Sequence, residues 1–302
     1  MSRVETGVPL KNYCKVIVAL LLWSSWGIAV QKLHIRALHT LFLTTLFSLP
    51  AVLICLFPRR DEIKDFIASI RGQASILALL AVCLLVNNYF YFAAFNRTSI
   101  AIAVFTHYTA PLFVAVLAPV LLHEHFDRRI IPPLLLALCG LTAILFPGFK
   151  FNLAAADLSG ALCGVASGLA YALTLITAKH LTDKLAPLPM ILGQNLFITL
   201  FLLPLLCFDP LVPMPGSAWL ILLLLGIVLC ALAPYLYLSG LRHIKAQHVA
   251  TIGYLEPLAA VALGLIVSRK VPDLSIWLGG LAILGAGIMV TTLHQNTGSV
   301  KQ

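Results

Sequence analysis

The sequence predicts an all-α integral membrane protein of ten transmembrane helices, arranged as two inverted five-helix repeats. Three observations carry that prediction. Across 302 residues, 61% are apolar and 10% charged, against about 45–50% and about 25% in soluble domains. The excess runs along the whole chain, at a mean hydropathy of +1.00, rather than collecting in one anchor. The apolar residues divide into ten segments of 18 to 23 residues, matching the ~20 that cross a hydrocarbon core. An ordered series of residue matches then recurs at an offset of 146.

Backbone polar groups in lipid must be satisfied within the segment, so each apolar run is a helix. Unbroken Leu/Ala/Ile runs lack the two-residue alternation of a membrane barrel. The first run, 13–30, continues past Lys15 through Trp23-Ser24-Ser25-Trp26-Gly27. It has no small-residue cleavage pattern and is therefore expected to be a retained span, not a signal peptide. The second occupies 38–57. The connector 58–73 is the longest and most charged, with Ile63, Phe66, Ile67 and Ile70 at helical spacing opposite Arg59, Arg60, Lys64 and Arg71. That pattern fits a short helix on the membrane surface, with a solvated loop as the alternative. Segments three to five occupy 74–95, 100–122 and 130–147. Segments six to ten occupy 159–177, 189–208, 217–238, 246–267 and 274–293.

The net charge of +9 sits in short connectors, without a basic face or nucleic-acid motif, so nucleic acid is excluded as a partner. Of the 20 Lys and Arg residues, 14 fall on the N-terminus, the even-numbered connectors and the C-terminus, and 6 on the odd-numbered connectors. The positive-inside rule then predicts a multi-pass inner-membrane protein with both termini cytoplasmic. The 7 cysteines are scattered singly, which reads as packing rather than disulfide or metal chemistry. His123-Glu124-His125-Phe126-Asp127 does not form a metal site, because residues two apart do not share a helix face and no second cluster completes a shell. No metal or cofactor is expected.

The repeat is read from matched residues. Tyr89-Phe90-Tyr91 matches Tyr235-Leu236-Tyr237, Tyr108 matches Tyr254 and Pro111 matches Pro257, all at 146. Lys32 matches Lys179 at 147, and Leu49-Pro50 matches Leu203-Pro204 at 154. The repeats are 13–147 and 159–293. Five spans is an odd number, so the second repeat enters the membrane from the opposite side, the arrangement that suits alternating access.

Asn96-Arg97-Thr98-Ser99-Ile100-Ala101 leads into His107-Tyr108-Thr109-Ala110-Pro111, and Gly240-Leu241-Arg242 with Ala246-Gln247 leads into Gly253-Tyr254-Leu255-Glu256-Pro257. With the ten-span organisation, these stretches resemble the drug/metabolite transporter superfamily, EamA type, over essentially the whole chain. The resemblance implies export of amino acids or other small metabolites; relatives of that family move sugars and nucleotide sugars. The family's Gly-Glu pair after spans 4 and 9 is represented here by His123-Glu124, whereas Arg269-Lys270 stands in the second position. A role for that acid therefore falls on Glu124 only.

Of the 11 acidic residues, Glu256 alone lies well inside an apolar segment. An ionised carboxylate there costs at least a few kcal/mol unless it faces a cavity or takes up a proton. Glu256 is thus expected to bind a coupling proton or pair with a substrate ammonium group; a glutamate bracing neighbouring helices is the alternative. Pro111 and Pro257 each lack an N–H and free a carbonyl four residues earlier, those of His107 and Gly253, giving a kink that lines a cavity, flexes or only shapes packing. His107 and Tyr108 lie beside the first proline and Tyr254 beside the second. Trp23, Trp26, Asn88, Tyr89, Tyr171, Gln194 and Tyr235 complete the candidate substrate-binding set. Asn87, Tyr91, Asn195 and Tyr237 lie at similar depth. Phenols and indoles suit planar or amphiphilic solutes and cations, although aromatics also belt membrane interfaces and amides join helices. Glu124 is the candidate gating acid, paired with Arg128/Arg129 or Arg269/Lys270.

Two function classes fit such a chain. A secondary transporter needs a central polar site and, lacking a Gly-Lys-Ser/Thr phosphate loop here, draws on a gradient or on the solute itself. An integral-membrane enzyme acting on a lipid or lipid-linked substrate needs clustered acids, a His/Asp pair or a metal at one depth, which one buried glutamate and scattered histidines do not supply. The expected partners are a small-molecule substrate and the lipid bilayer. Monomer and homodimer both fit.

Overall fold

A computed structural model describes residues 9–27, 33, 35–58, 60–148, 155–211, 214–269 and 271–293. Among them the regular structure is all helical, with no strand. Its helices are α1 (Leu10–Trp23), α2 (Ala37–Leu56), α3 (Arg60–Phe95), α4 (Ile100–His107), α5 (Ala110–Leu122), α6 (Ile131–Leu145) and α7 (Ala155–Thr182). They continue with α8 (Pro187–Leu202), α9 (Gly216–Ile227), α10 (Ala233–Leu241), α11 (Ala246–Ile252), α12 (Leu255–Ser268) and α13 (Leu274–Leu293). Nine stretches among the described residues are long and apolar enough to cross a membrane. The first expected segment, 13–30, is represented by α1; residues 28–30 lie outside the described residues, as does Lys32.

Three features depart from straight spans. The helix expected in the connector 58–73 is present, but it runs without interruption into the third span as the single helix α3. The fourth and ninth spans are each broken in two, between α4 and α5 and between α11 and α12. The eighth opens into a wide π-helical turn, Val228–Leu232, between α9 and α10.

Helices from the two halves interleave. α3 packs on α7, α1 on α10, α2 on α8 and α6 on α13. The half-helices of span 4, α4 and α5, both lie against α7, while α12 of span 9 lies against α1. Close approach of span 4 to α7 depends on Gly160, Gly164 and Gly168, one per turn on a single face. A Cβ on Gly168 would stand 2.6 Å from the His107 carbonyl oxygen, so only glycine lets the two backbones meet there. The largest buried cluster joins α1, α7, α8, α10 and α11 through Tyr13, Leu20, Leu181, Met190, Leu241 and Val249. Outward faces are apolar: Ile54 is 73%, Val120 69% and Ile288 64% exposed. Apolar surface on this scale is covered by lipid.

Candidate functional site

The site is built on the two breaks. α4 opens with Ser99, whose hydroxyl accepts the Ile102 N–H at 3.3 Å, and closes at His107. Tyr108 and Thr109 separate it from α5, and Pro111 stands at the start of α5. In span 9, Gly253 and Tyr254 form the break and Pro257 stands near the start of α12. Proline has no N–H to return to the preceding turn, so the regular helix lapses over two residues at each site and the span is kinked, while Thr109, Gly253 and Tyr254 keep right-handed helical dihedrals. The Tyr254 hydroxyl donates to the Tyr108 carbonyl at 2.9 Å, and the two rings are 6.0 Å apart. Each break thus supplies part of the other's surroundings.

Glu256 lies in the first turn of α12, half-buried. The Tyr108 side chain is within hydrogen-bonding reach of its carboxylate, and Tyr91, Tyr171 and Tyr237 lie around it. The hydroxyls of Tyr171 and Tyr237 are in reach of one another. The Trp23 ring lies 5.0 Å from that of Tyr237, tilted by 52°. The His107 ring lies 4.2 Å from that of Tyr91 and 5.4 Å from that of Tyr171. Its Nδ1 is 2.8 Å from the Ser167 hydroxyl, which donates onward to Asn87. Tyrosines from four spans thereby surround one carboxylate, a setting that can hold an ammonium group by charge and by π-faces.

Trp23, His107, Tyr108, Tyr171, Tyr254 and Glu256 therefore come together. Tyr89 and Tyr235 do not: Tyr89 is 61% exposed and Tyr235 36%, while Tyr91 and Tyr237, two residues further on, occupy the cluster. Positions two apart on a helix face different ways, so one tyrosine of each pair turns in. Asn88 donates to Leu84 of its own helix at 2.8 Å. Gln194 and Trp26 are half-buried. Ser167 is a contributor that sequence reasoning did not single out; its signal is a hydroxyl one residue before Gly168, on the close-packed stretch of α7.

The wide turn in span 8 has a proline cause. In the π-turn the Ala233 N–H reaches the Val228 carbonyl. Pro234 then has no N–H for the carbonyls of Leu229 and Cys230. Trp23 Nε1 donates to the first at 3.0 Å and Asn195 Nδ2 to the second at 2.8 Å. Asn195 also donates to Ser48 at 2.7 Å. The Trp23–Leu229 bond holds the indole against Tyr237.

At one end the two halves are clamped. The Glu124 carboxylate accepts the Ala246 N–H at 3.2 Å, Asp127 pairs with His248 Nε2 at 3.3 Å, and the Gln247 amide donates to the His125 carbonyl at 3.4 Å. Burial pushes the Glu124 carboxyl above its ordinary value, despite Lys179, the Ala246 N–H and Lys245. Burial also pushes Asp127 upward, but the Arg129 N–H, His248 and Lys245 outweigh it and hold Asp127 below the ordinary value. Lys179 is fixed nearby, donating to the Leu241 carbonyl at 2.8 Å. Lys270, one of the expected Glu124 partners, lies outside the described residues. At the other end Arg36 and Asp209 form an ion pair, and His39 Nε2 is 2.7 Å from the Asp209 carbonyl. They border an open cleft of about 520 Å³ that also takes in Tyr89, Asn96 and Arg97. Among the described residues no group of three His, Cys, Asp or Glu side chains could hold a metal ion.

Membrane-length helices broken in pairs around a carboxylate are the architecture of a membrane transporter. The chain belongs to the EamA-like transporter family, within the drug/metabolite transporter superfamily: the family's model matches residues 10–146 and again 158–292. It is 23% identical to the uncharacterised transporter YxxF of Bacillus subtilis over 283 residues, which cover 93% of this chain and 89% of the relative. It is 29% identical to an uncharacterised transporter of Archaeoglobus fulgidus over 205 residues, covering 66% and 70%. A crystal structure sharing 20% identity superposes with a TM-score of 0.79, over 96% of this chain and 98% of its own.

Proposed function

We propose that the protein is a secondary transporter that moves a small metabolite across the inner membrane by alternating access, exporting amino acids or related compounds with proton coupling. Ten spans in two inverted repeats, 13–147 and 159–293, both termini cytoplasmic, are part of this reading. The observation that carries it is the Glu256 cluster at the paired breaks, where Tyr254 bonds the Tyr108 backbone. Glu256 holds the substrate ammonium group or the coupling proton. Trp23, His107, Tyr108, Tyr171, Tyr91 and Tyr237 shape the pocket, Pro111 and Pro257 keep the breaks open, and Glu124 closes one gate.

The packing supports the repeat. Exchanging each span with the one five further on turns the α3–α7 contact into the α10–α1 contact, and the α4/α5–α7 contact into the α12–α1 contact. His123 and Arg269, the two non-glycine residues with positive φ among those described, are 146 residues apart, and each ends the second half of a broken span.

The test is counterflow in proteoliposomes with amino acids as probes, with and without an imposed pH gradient. Glu256→Gln should abolish gradient-driven accumulation while the protein keeps its melting temperature. Undiminished accumulation by that variant would remove Glu256 from the mechanism. Chemical conversion of a lipid without solute movement would replace the reading by an enzyme.

A further inference from the structure

At the Glu124 end, outside the central cluster, a groove of about 200 Å³ lies between spans 1, 7 and 8. It is lined by Lys15 from α1, Pro187 and Leu188 from α8, and Tyr235, Ser239, Arg242 and His243 from span 8 and its following turn. No acidic side chain lines it. Lys15, Arg242 and His243 form no ion pair among the described residues, and Lys11 and Lys179 add positive charge nearby. Burial, then Arg242, Lys15, Lys179 and Lys11, push the His243 imidazole below its ordinary value, and an imidazole N–H can donate a hydrogen bond in either protonation state.

The groove opens sideways. Leu232, Tyr235, Ser239 and Arg242 succeed one another at helical spacing along one face of span 8, and Leu232 is 45% and Tyr235 36% exposed. On α1, Val18 lies one turn from Lys15 and is 44% exposed. The lane runs from lipid-facing aliphatic groups, past a phenol, to two cations and a hydroxyl. That sequence of chemistries matches an acyl chain, a glycerol backbone and a phosphodiester.

We propose that this groove binds the headgroup of an anionic phospholipid, with Lys15 and Arg242 on the phosphodiester, Ser239 and His243 as hydrogen-bond donors, and the acyl chains along Tyr235, Leu232 and Val18. A free phosphate shares the headgroup chemistry but leaves the apolar lane unused. Basic pockets between spans at a membrane surface take anionic headgroups, and each cation near the surface is worth about a fivefold change in affinity.

The experiment measures lipid retention by the full-length detergent-purified protein, using native mass spectrometry with phosphatidylglycerol and phosphatidylcholine as competing probes and inorganic phosphate as a separate arm. The expected result is preferential retention of phosphatidylglycerol that falls with added salt. Lys15→Gln with Arg242→Gln should lower that preference roughly 25-fold, while Lys15→Arg with Arg242→Lys keeps it. Because both side chains project from the packed core, the Gln variant should melt as the wild type does in phosphatidylcholine; if it unfolds, single Gln variants each losing about fivefold serve instead. Equal retention of the two lipids, or a preference unchanged in the Gln variants, overturns the proposal. So does retention of inorganic phosphate where phosphatidylglycerol is not retained.

Discussion

The Tyr254 hydroxyl serves a backbone carbonyl that the break in span 4 leaves without its helical partner. Both residues are buried, so Tyr254→Phe strands an acceptor and should cost about 1–3 kcal/mol of stability in a denaturation experiment. Tyr108→Phe leaves that bond intact, since Tyr108 contributes its carbonyl; it removes the hydroxyl beside Glu256 and should reduce transport with a smaller loss of stability. The clamp acids respond in opposite senses. The Glu124 carboxyl is raised by burial, so its ionised form is disfavoured in the fold and stability falls as pH rises from the ordinary carboxylate value through its folded value. The Asp127 carboxyl is lowered, so its stabilisation is complete above the ordinary carboxylate value and disappears as pH falls through the folded one. Glu124→Gln keeps the acceptor for Ala246 and should melt no lower than the wild type at neutral pH, whereas Glu124→Ala loses a helix cap, about 1 kcal/mol. Asp127→Asn should melt lower at neutral pH and converge on the wild type in acid. Melting temperature against pH checks all three.

Helix α7 approaches span 4 through glycines, which makes its packing sensitive to a single methyl group. Gly168→Ala sets a Cβ 2.6 Å from the His107 carbonyl oxygen, where neither backbone can yield cheaply. Its expected cost is about 1–3 kcal/mol. Gly264 in α12 faces open space, with nothing within 4 Å of where a Cβ would stand. Gly264→Ala should therefore be neutral or stabilise by ~0.5–1 kcal/mol; urea or thermal melts of the two variants compare them directly. The same helices show what sequence makes legible. The apolar runs could be placed because span length and hydropathy are one-dimensional properties. Helix phase could not, because lipid and protein interior are both apolar and erase the periodicity that orients a soluble helix. That is why the sequence offers Tyr89 and Tyr235 for the binding set where the fold turns Tyr91 and Tyr237 inward. Pro111 and Pro257 could be read as kinks. Their consequence for Tyr254 needed the partner span, and Pro234 acts through Trp23 and Asn195, neighbours that lie 211 and 39 residues away.

The two halves agree in their breaks, their αL residues and their pairings, and differ in where each carries an acid. The breaks match, the αL residues His123 and Arg269 match, and the helix pairings exchange with one another. Yet Ala110 stands where the second half has Glu256, and Glu124 stands where the second half has Lys270. One half therefore contributes the central acid and the other the acid that clamps an end. In a rocking mechanism the clamp must open once per cycle, because Glu124, His125 and Asp127 of one half hold residues 246–248 of the other. This predicts that fixing the clamp stops transport without touching the Glu256 cluster. His125→Cys and Lys245→Cys, introduced after replacement of the seven native cysteines, none of them disulfide-bonded, would be bridged by a short reducible bifunctional thiol reagent. Bridging should abolish counterflow in proteoliposomes, reduction should restore it, and either single cysteine treated the same way should transport normally. Substrate-dependent protection against melting should survive the bridge, since the pocket itself is unchanged. Full counterflow from quantitatively bridged protein would mean that solute passes without separation of these two segments, and the rocking of one half against the other would have to be abandoned.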